Sequence, residues 1–153
     1  MDLRTRISTD LKQAMKDKAA ERLSTLRLVN AAIKDKDIAA RAEGNDDGVG
    51  NDEVLAILGK MAKQRIESAR AYEEGGRLDL AERERAEIEV IEEFLPRQLD
   101  KDETAAAVDA AMAEVGASSI RDMGKVMGVL KAKYTGQMDF GRVGPMLKDR
   151  LSN

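Results

Sequence analysis

The first apolar residues of the chain, Leu3, Ile7, Leu11, Ala14 and Met15, follow one another at the spacings of one helix face. Leu23, Leu26, Val29 and Ile33 repeat the pattern in a second helix that fades by about Arg41. AEGNDDGVG, Ala42 to Gly50, then breaks it with the Gly, Asp and Asn of a loop. Asn51 is the expected N-cap of a third helix, with Asp52 and Glu53 complementing its positive end. That helix is expected to bury Leu55, Leu58, Met61 and Ile66 and to stop at Gly75 and Gly76. A fourth begins near Asp79, buries Leu80, Ile88, Ile91 and Leu95, and is ended by Pro96.

PRQLDKDE, Pro96 to Glu103, reads as a joint between two units. Asp100, followed three residues later by Glu103, forms the pattern of a capping box for a fifth helix. This helix carries Val108, Ala111, Met112 and Val115 and is closed by Gly116. A sixth is predicted over Ser119–Gln137, ended by Gly136. Asp139 caps a seventh bearing Val143, Met146, Leu147 and Leu151, where Pro145 demands a late start or a kink. The pattern therefore predicts an all-α chain: an N-terminal four-helix antiparallel bundle, residues 1–96, followed by a smaller three-helix C-terminal domain, residues 97–153.

Composition changes this picture mainly by exclusion. Aromatics are 3% with no Trp, so the cores must be aliphatic. There is no Cys and no His, which removes disulfides, thiol nucleophiles, zinc fingers and imidazole acid–base chemistry. No cofactor or metal is expected. GVGNDE, Gly48 to Glu53, imitates half of a dinucleotide fingerprint but lacks the third glycine and a preceding strand. No run approaches the roughly 18 apolar residues of a membrane span, and MDLRTRISTDL lacks the apolar core of a signal peptide. The expectation is a soluble cytoplasmic protein.

Within the sixth helix, Gly124 and Gly128 each cost about 1 kcal/mol relative to alanine in a helix interior. On a helical wheel Met123, Val126, Met127, Leu130 and Tyr134 form the core face. The glycines lie opposite, in the same half as Arg121, Lys125 and Lys131. Three readings compete. The strip docks a nucleic-acid backbone, with phosphates on the three cations; it packs another helix; or the glycines stand near a helix start where they cost little. Exposed N–H groups at a start near Asp122 favour phosphate.

Charge is uneven along the chain. Residues 117–153 hold seven Lys or Arg against three Asp, so the tail is +4 in a chain of −3 and the rest is −7. A pI of 5.2 argues against bulk polyanion binding, while a positive end on a negative body favours local, oriented contact. Other candidates are weaker. The six glutamates of ERERAEIEVIEE (Glu82, Glu84, Glu87, Glu89, Glu92, Glu93) read as a solvated face rather than a metal site. Lys60, Lys63, Gln64, Ser68 and Tyr72 read as an exposed polar stripe on the third helix. Ser118 and Ser119 read as capping residues and not as nucleophiles paired with Lys125.

Three long stretches carry a resemblance: STLRLVNAAIK (Ser24 to Lys34), KQRIESARAYEEGGRLDLAERERAEIEVIEEFLPRQL (Lys63 to Leu99) and IRDMGKVMGVLKAKYTGQMDFGRVGPMLKDRL (Ile120 to Leu151). In this order they resemble the YqeY family, stand-alone relatives of the C-terminal part of the B subunit of the tRNA-dependent amidotransferase. The resemblance implies an all-helical protein whose tail contacts tRNA, with Asp122, Met123, Gly124, Lys125, Met127 and Gly128 on the matching positions. Gly124, Lys125 and Gly128 are then contact candidates and Met123 and Met127 core; Arg121 and Lys131 come from the wheel alone. The expected function is non-catalytic binding of tRNA or another structured RNA, with a possible protein partner. The alternatives are a protein–protein adaptor using the glycine strip and, third, an accessory part of a carbon–nitrogen ligase with glutamine as amido donor.

Overall fold

A computed structural model describes residues 2–152, and every regular element among them is helical. The helices are α1 (Leu3–Lys16), α2 (Ala20–Ala42), α3 (Asn51–Glu74), α4 (Leu78–Glu92), α5 (Lys101–Val115), α6 (Met123–Tyr134) and α7 (Phe140–Ser152). A short 3-10 turn, Ile120–Asp122, precedes α6. The chain divides into two compact units, one running to Leu95 and the other starting at Pro96.

In the first unit α1 to α4 share one aliphatic core. Leu26, Val29, Ile33, Leu58 and Ile91 are almost wholly removed from water there, joined by Ile7 and Val54. Burying such a side chain stabilises by about 1.5–3 kcal/mol, so the apolar stripes account for much of the assembly. The stripes are shifted from expectation at their edges. Met15 is 51% exposed and Ile66 37% exposed, while Ala62 and Ala69 are buried in the face that Ile66 borders. Leu11, Leu23 and Leu55 pack against the core from its margin. Thr25, the one buried polar residue among those described, returns its hydroxyl to the Glu21 carbonyl at 3.2 Å.

Asn51 is not a cap. Gly50 precedes α3 without a side-chain bond, and the Asn51 carboxamide oxygen instead accepts the Leu3 N–H at 3.2 Å. The loop before it is anchored rather than free. Arg4 forms two bonds of 2.8 Å with the Asp37 carboxylate and donates to the Val49 carbonyl at 2.9 Å, while the Val49 N–H donates to Asp37 at 2.9 Å. Val49 is thereby drawn into the core. Gly48, at φ +85°, has Arg4 and Asp37 side-chain atoms 3.1 Å from where a Cβ would stand, so a larger residue is excluded twice over. α4 stops at Glu92, before Pro96, and Phe94 and Leu95 continue only as 3-10-type bonds to Ile91 and Glu92.

The second unit has its own core of Val108, Ala111, Val126, Leu130, Val143 and Leu147. α5 begins at the capping box: Asp100 accepts the Glu103 N–H at 2.8 Å and Glu103 accepts the Asp100 N–H at 3.2 Å. It ends at Gly116, in the left-handed conformation at φ +67°. Asp139 caps α7 by accepting the Gly141 N–H at 3.0 Å. α7 does not start late; it runs through Pro145, its sixth residue. The bond that proline forfeits belongs to the Gly141 carbonyl one turn back, and both residues are exposed, so the loss falls at a solvent-facing position.

Candidate nucleic-acid interface

The sixth helix is shorter than its apolar pattern predicts. The 3-10 turn holds Arg121, and Gly124 is only the second residue of α6, where a missing side chain costs less than in the interior. Gly128 remains an interior glycine. Val126 and Leu130 are fully buried, with Met123, Met127 and Tyr134 packed beside them, so the core face is the expected one. The opposite face is open: a Cβ built at Gly124 or Gly128 meets nothing within 4 Å. Neither glycine makes room for a neighbouring helix of its own unit. Lys131 stands in line with both glycines and Lys125 to one side, about 9 Å apart along the axis. Arg121, lying outside the α-helix, is not placed by the wheel, though it is exposed like the two lysines.

Partners sort the tail's cations. Lys133 is bound to Glu114 at 2.8 Å, Arg142 lies 3.6 Å from Asp139, and Arg150 engages Asp109 and the Ala105 carbonyl. Arg121, Lys125, Lys131 and Lys148 have no ion pair among the described residues. Lys125 does feel the charge of Asp122. That carboxylate accepts the N–H groups of Ser118 at 3.0 Å and Ser119 at 3.3 Å, which hold it below the usual carboxylate range. An anionic side chain therefore stands at the turn leading into α6, where it holds the N–H groups of Ser118 and Ser119. Ser119 is the N-cap of the 3-10 turn and forms a capping box with Asp122, while Ser118 contributes only its backbone N–H.

The remaining candidates resolve structurally. On α3, Lys60 and Gln64 are exposed but Lys63, Ser68 and Tyr72 are half-buried, so the stripe is not simply surface. Between α3 and α4, Arg65 donates to Glu87 at 2.8 Å and to the Met61 carbonyl at 3.2 Å. Burial, then the neighbouring Glu87 charge, pushes the Glu84 carboxyl upward against the pull of Arg65. The other four glutamates of that run are exposed, and no acidic group among the described residues is arranged to hold a metal ion. No helix of the described residues is long and apolar enough to cross a membrane. Sequence reasoning missed the Arg4–Asp37–Val49 anchor; its signal was a single valine inside an otherwise polar loop.

Comparison with known families matches residues 4–151 to YqeY, described as Yqey-like protein. The chain belongs to the YqeY family. Curated relatives carry the name altered inheritance of mitochondria protein 41, mitochondrial. The protein of Meyerozyma guilliermondii is 41% identical over 91 residues, 58% of this chain and 44% of that one. That of Clavispora lusitaniae is 36% identical over 89 residues, 58% of this chain and 49% of its own length. In Eremothecium gossypii the identity is 31% over 116 residues, covering 74% and 61%. Against the first two, this YqeY chain spans about half the relative's length. The names correct the expectation of a cytoplasmic protein, because the relatives are named as mitochondrial. The expectation rested on the lack of an apolar leader, and mitochondrial transit peptides are amphipathic and Arg-rich rather than apolar.

Proposed function

We propose that this YqeY protein is a non-catalytic RNA-binding protein whose α6 contacts the backbone of a structured RNA such as tRNA. In this reading α1 to α4 form an antiparallel bundle, and residues 97–153 a three-helix tail that makes the contact. The observation that carries it is the open space over Gly124 and Gly128 on the helix that bears Lys125 and Lys131, which, like the exposed Arg121 just before it, have no ion pair among the described residues. A bare ridge lets a ribose-phosphate chain approach the helix backbone, and free ammonium and guanidinium groups neutralise its phosphates. Recognition is by shape and phosphate, since helical RNA hides its base edges in a deep, narrow groove. With Phe94 buried and Tyr134 and Phe140 packed at the second core, no stacking platform for splayed bases accompanies the strip.

Replacement of the glycines tests it. Neither has a positive φ and neither Cβ meets a neighbour, so Gly124→Ala and Gly128→Ala raise helix stability by up to about 1 kcal/mol each. Thermal melts of both variants are expected at or above the wild-type temperature, while gel shifts with total tRNA weaken. Variants that melt higher and bind tRNA unchanged would refute the contact. A partner protein retained from nuclease-treated extract and lost with the same variants would assign the strip to an adaptor instead.

A further inference from the structure

The outer faces of α2 and α4, both in the first unit, carry matching patterns. On α2 the exposed strip is Arg27, Leu28, Ala31, Lys34 and Asp35; on α4 it is Glu82, Arg83, Ala86 and Glu89, with the half-buried Val90 at its edge. Each is an alanine flanked by residues three and four positions before and after it. Each faces away from its own helix's buried residues, Leu26, Val29 and Ile33 on α2 and Ala81, Ile88 and Ile91 on α4. All six charged members are exposed and have no hydrogen bond or ion pair among the described residues. Leu28 is 45% exposed, and Val90 is half-buried at the core margin.

We propose that α2 of one copy of the chain lies antiparallel against α4 of a second copy. With Ala31 set opposite Ala86, helical geometry places Arg27 beside Glu89 and Lys34 beside Glu82 on one flank. The other flank sets Asp35 beside Arg83 and Leu28 beside Val90. Every flanking pair is of opposite charge or apolar on both sides, and the reversed order Asp35–Arg83 meets its own complement. A parallel arrangement brings opposite flanks together and sets Arg27 beside Arg83 and Asp35 beside Glu89, with Lys34 facing Val90 and Leu28 facing Glu82. The antiparallel register alone satisfies all four. The alanines allow the two axes to approach at the short end of helix–helix distances, and flanking charges fix partner and direction as they do in coiled coils.

The test is sedimentation of the nuclease-treated full chain at several concentrations, with two charge-reversed variants. Arg27→Glu with Lys34→Glu makes both strips acidic; Glu82→Lys with Glu89→Lys makes both basic. Wild type is expected to self-associate, and each variant alone to do so about tenfold more weakly or not at all. An equimolar mixture of the two variants restores association, because the basic α2 of one meets the acidic α4 of the other and the reversed seam is also complementary. The altered side chains are exposed, and circular dichroism verifies that both variants are folded. A monomeric wild type, variants that associate like wild type, or a mixture that stays monomeric would each overturn the proposal.

Discussion

Asp37 shows how much one side chain does outside any core. The hydrogen bonds from Arg4, and after them the Val49 N–H, bring its carboxyl from 3.8 to about 2. A carboxyl depressed in the folded state stabilises fully above its unfolded value and loses that contribution as pH falls through its folded one. Urea melts of Asp37→Asn are therefore expected to show lower stability at neutral pH and a flatter loss between pH 4 and 2 than wild type. Parallel curves of equal slope in that window would contradict the assignment. At this scale the sequence was only partly legible. Apolar residues announce a helix face, but Ala62 and Ala69 are silent, since alanine suits core and surface alike. Ile66 was consequently placed one step too far inward. Met15 failed for a different reason: the residue of that last turn that enters the core is its neighbour Ala14.

At the scale of elements, local chemistry was read more reliably than boundaries. Asp100 with Glu103, Gly116, and Gly75 with Gly76 act through bonds and conformations within a few residues of themselves, and all stand where the pattern put them. Asn51 did not, because a carboxamide near a helix start was claimed by a distant N–H, that of Leu3. The start near Asp122 held, but the 3-10 turn ahead of α6 was not read: Asp122 accepts the Ser118 and Ser119 N–H groups in a turn that periodicity does not register. The α5 cap gives a clean check. Asp100→Ala removes an acceptor and is expected to lower stability by about 0.5–2 kcal/mol in chemical denaturation. An unchanged midpoint and slope would show that the box is ornamental.

For the whole molecule, family and helical class were legible in the long apolar and Gly-bearing stretches, but cellular location was not. Location is written in targeting segments and not in the packing of a helical core, so the cytoplasmic reading failed on the relatives' names. The charge distribution speaks instead to partners. A net −3 chain repels polyanions at a distance, so the proposed RNA contact has to be local, made by the cations on and just before α6. The most direct measurement is the affinity of the full chain for total tRNA across salt concentrations, for wild type and for Lys125→Glu combined with Lys131→Glu. Wild-type affinity is expected to fall linearly with log salt, and the variant to bind more weakly with a slope shallower by about 2, one for each phosphate contact removed. Equal affinities and equal slopes would contradict the claim that α6 grips the phosphate backbone.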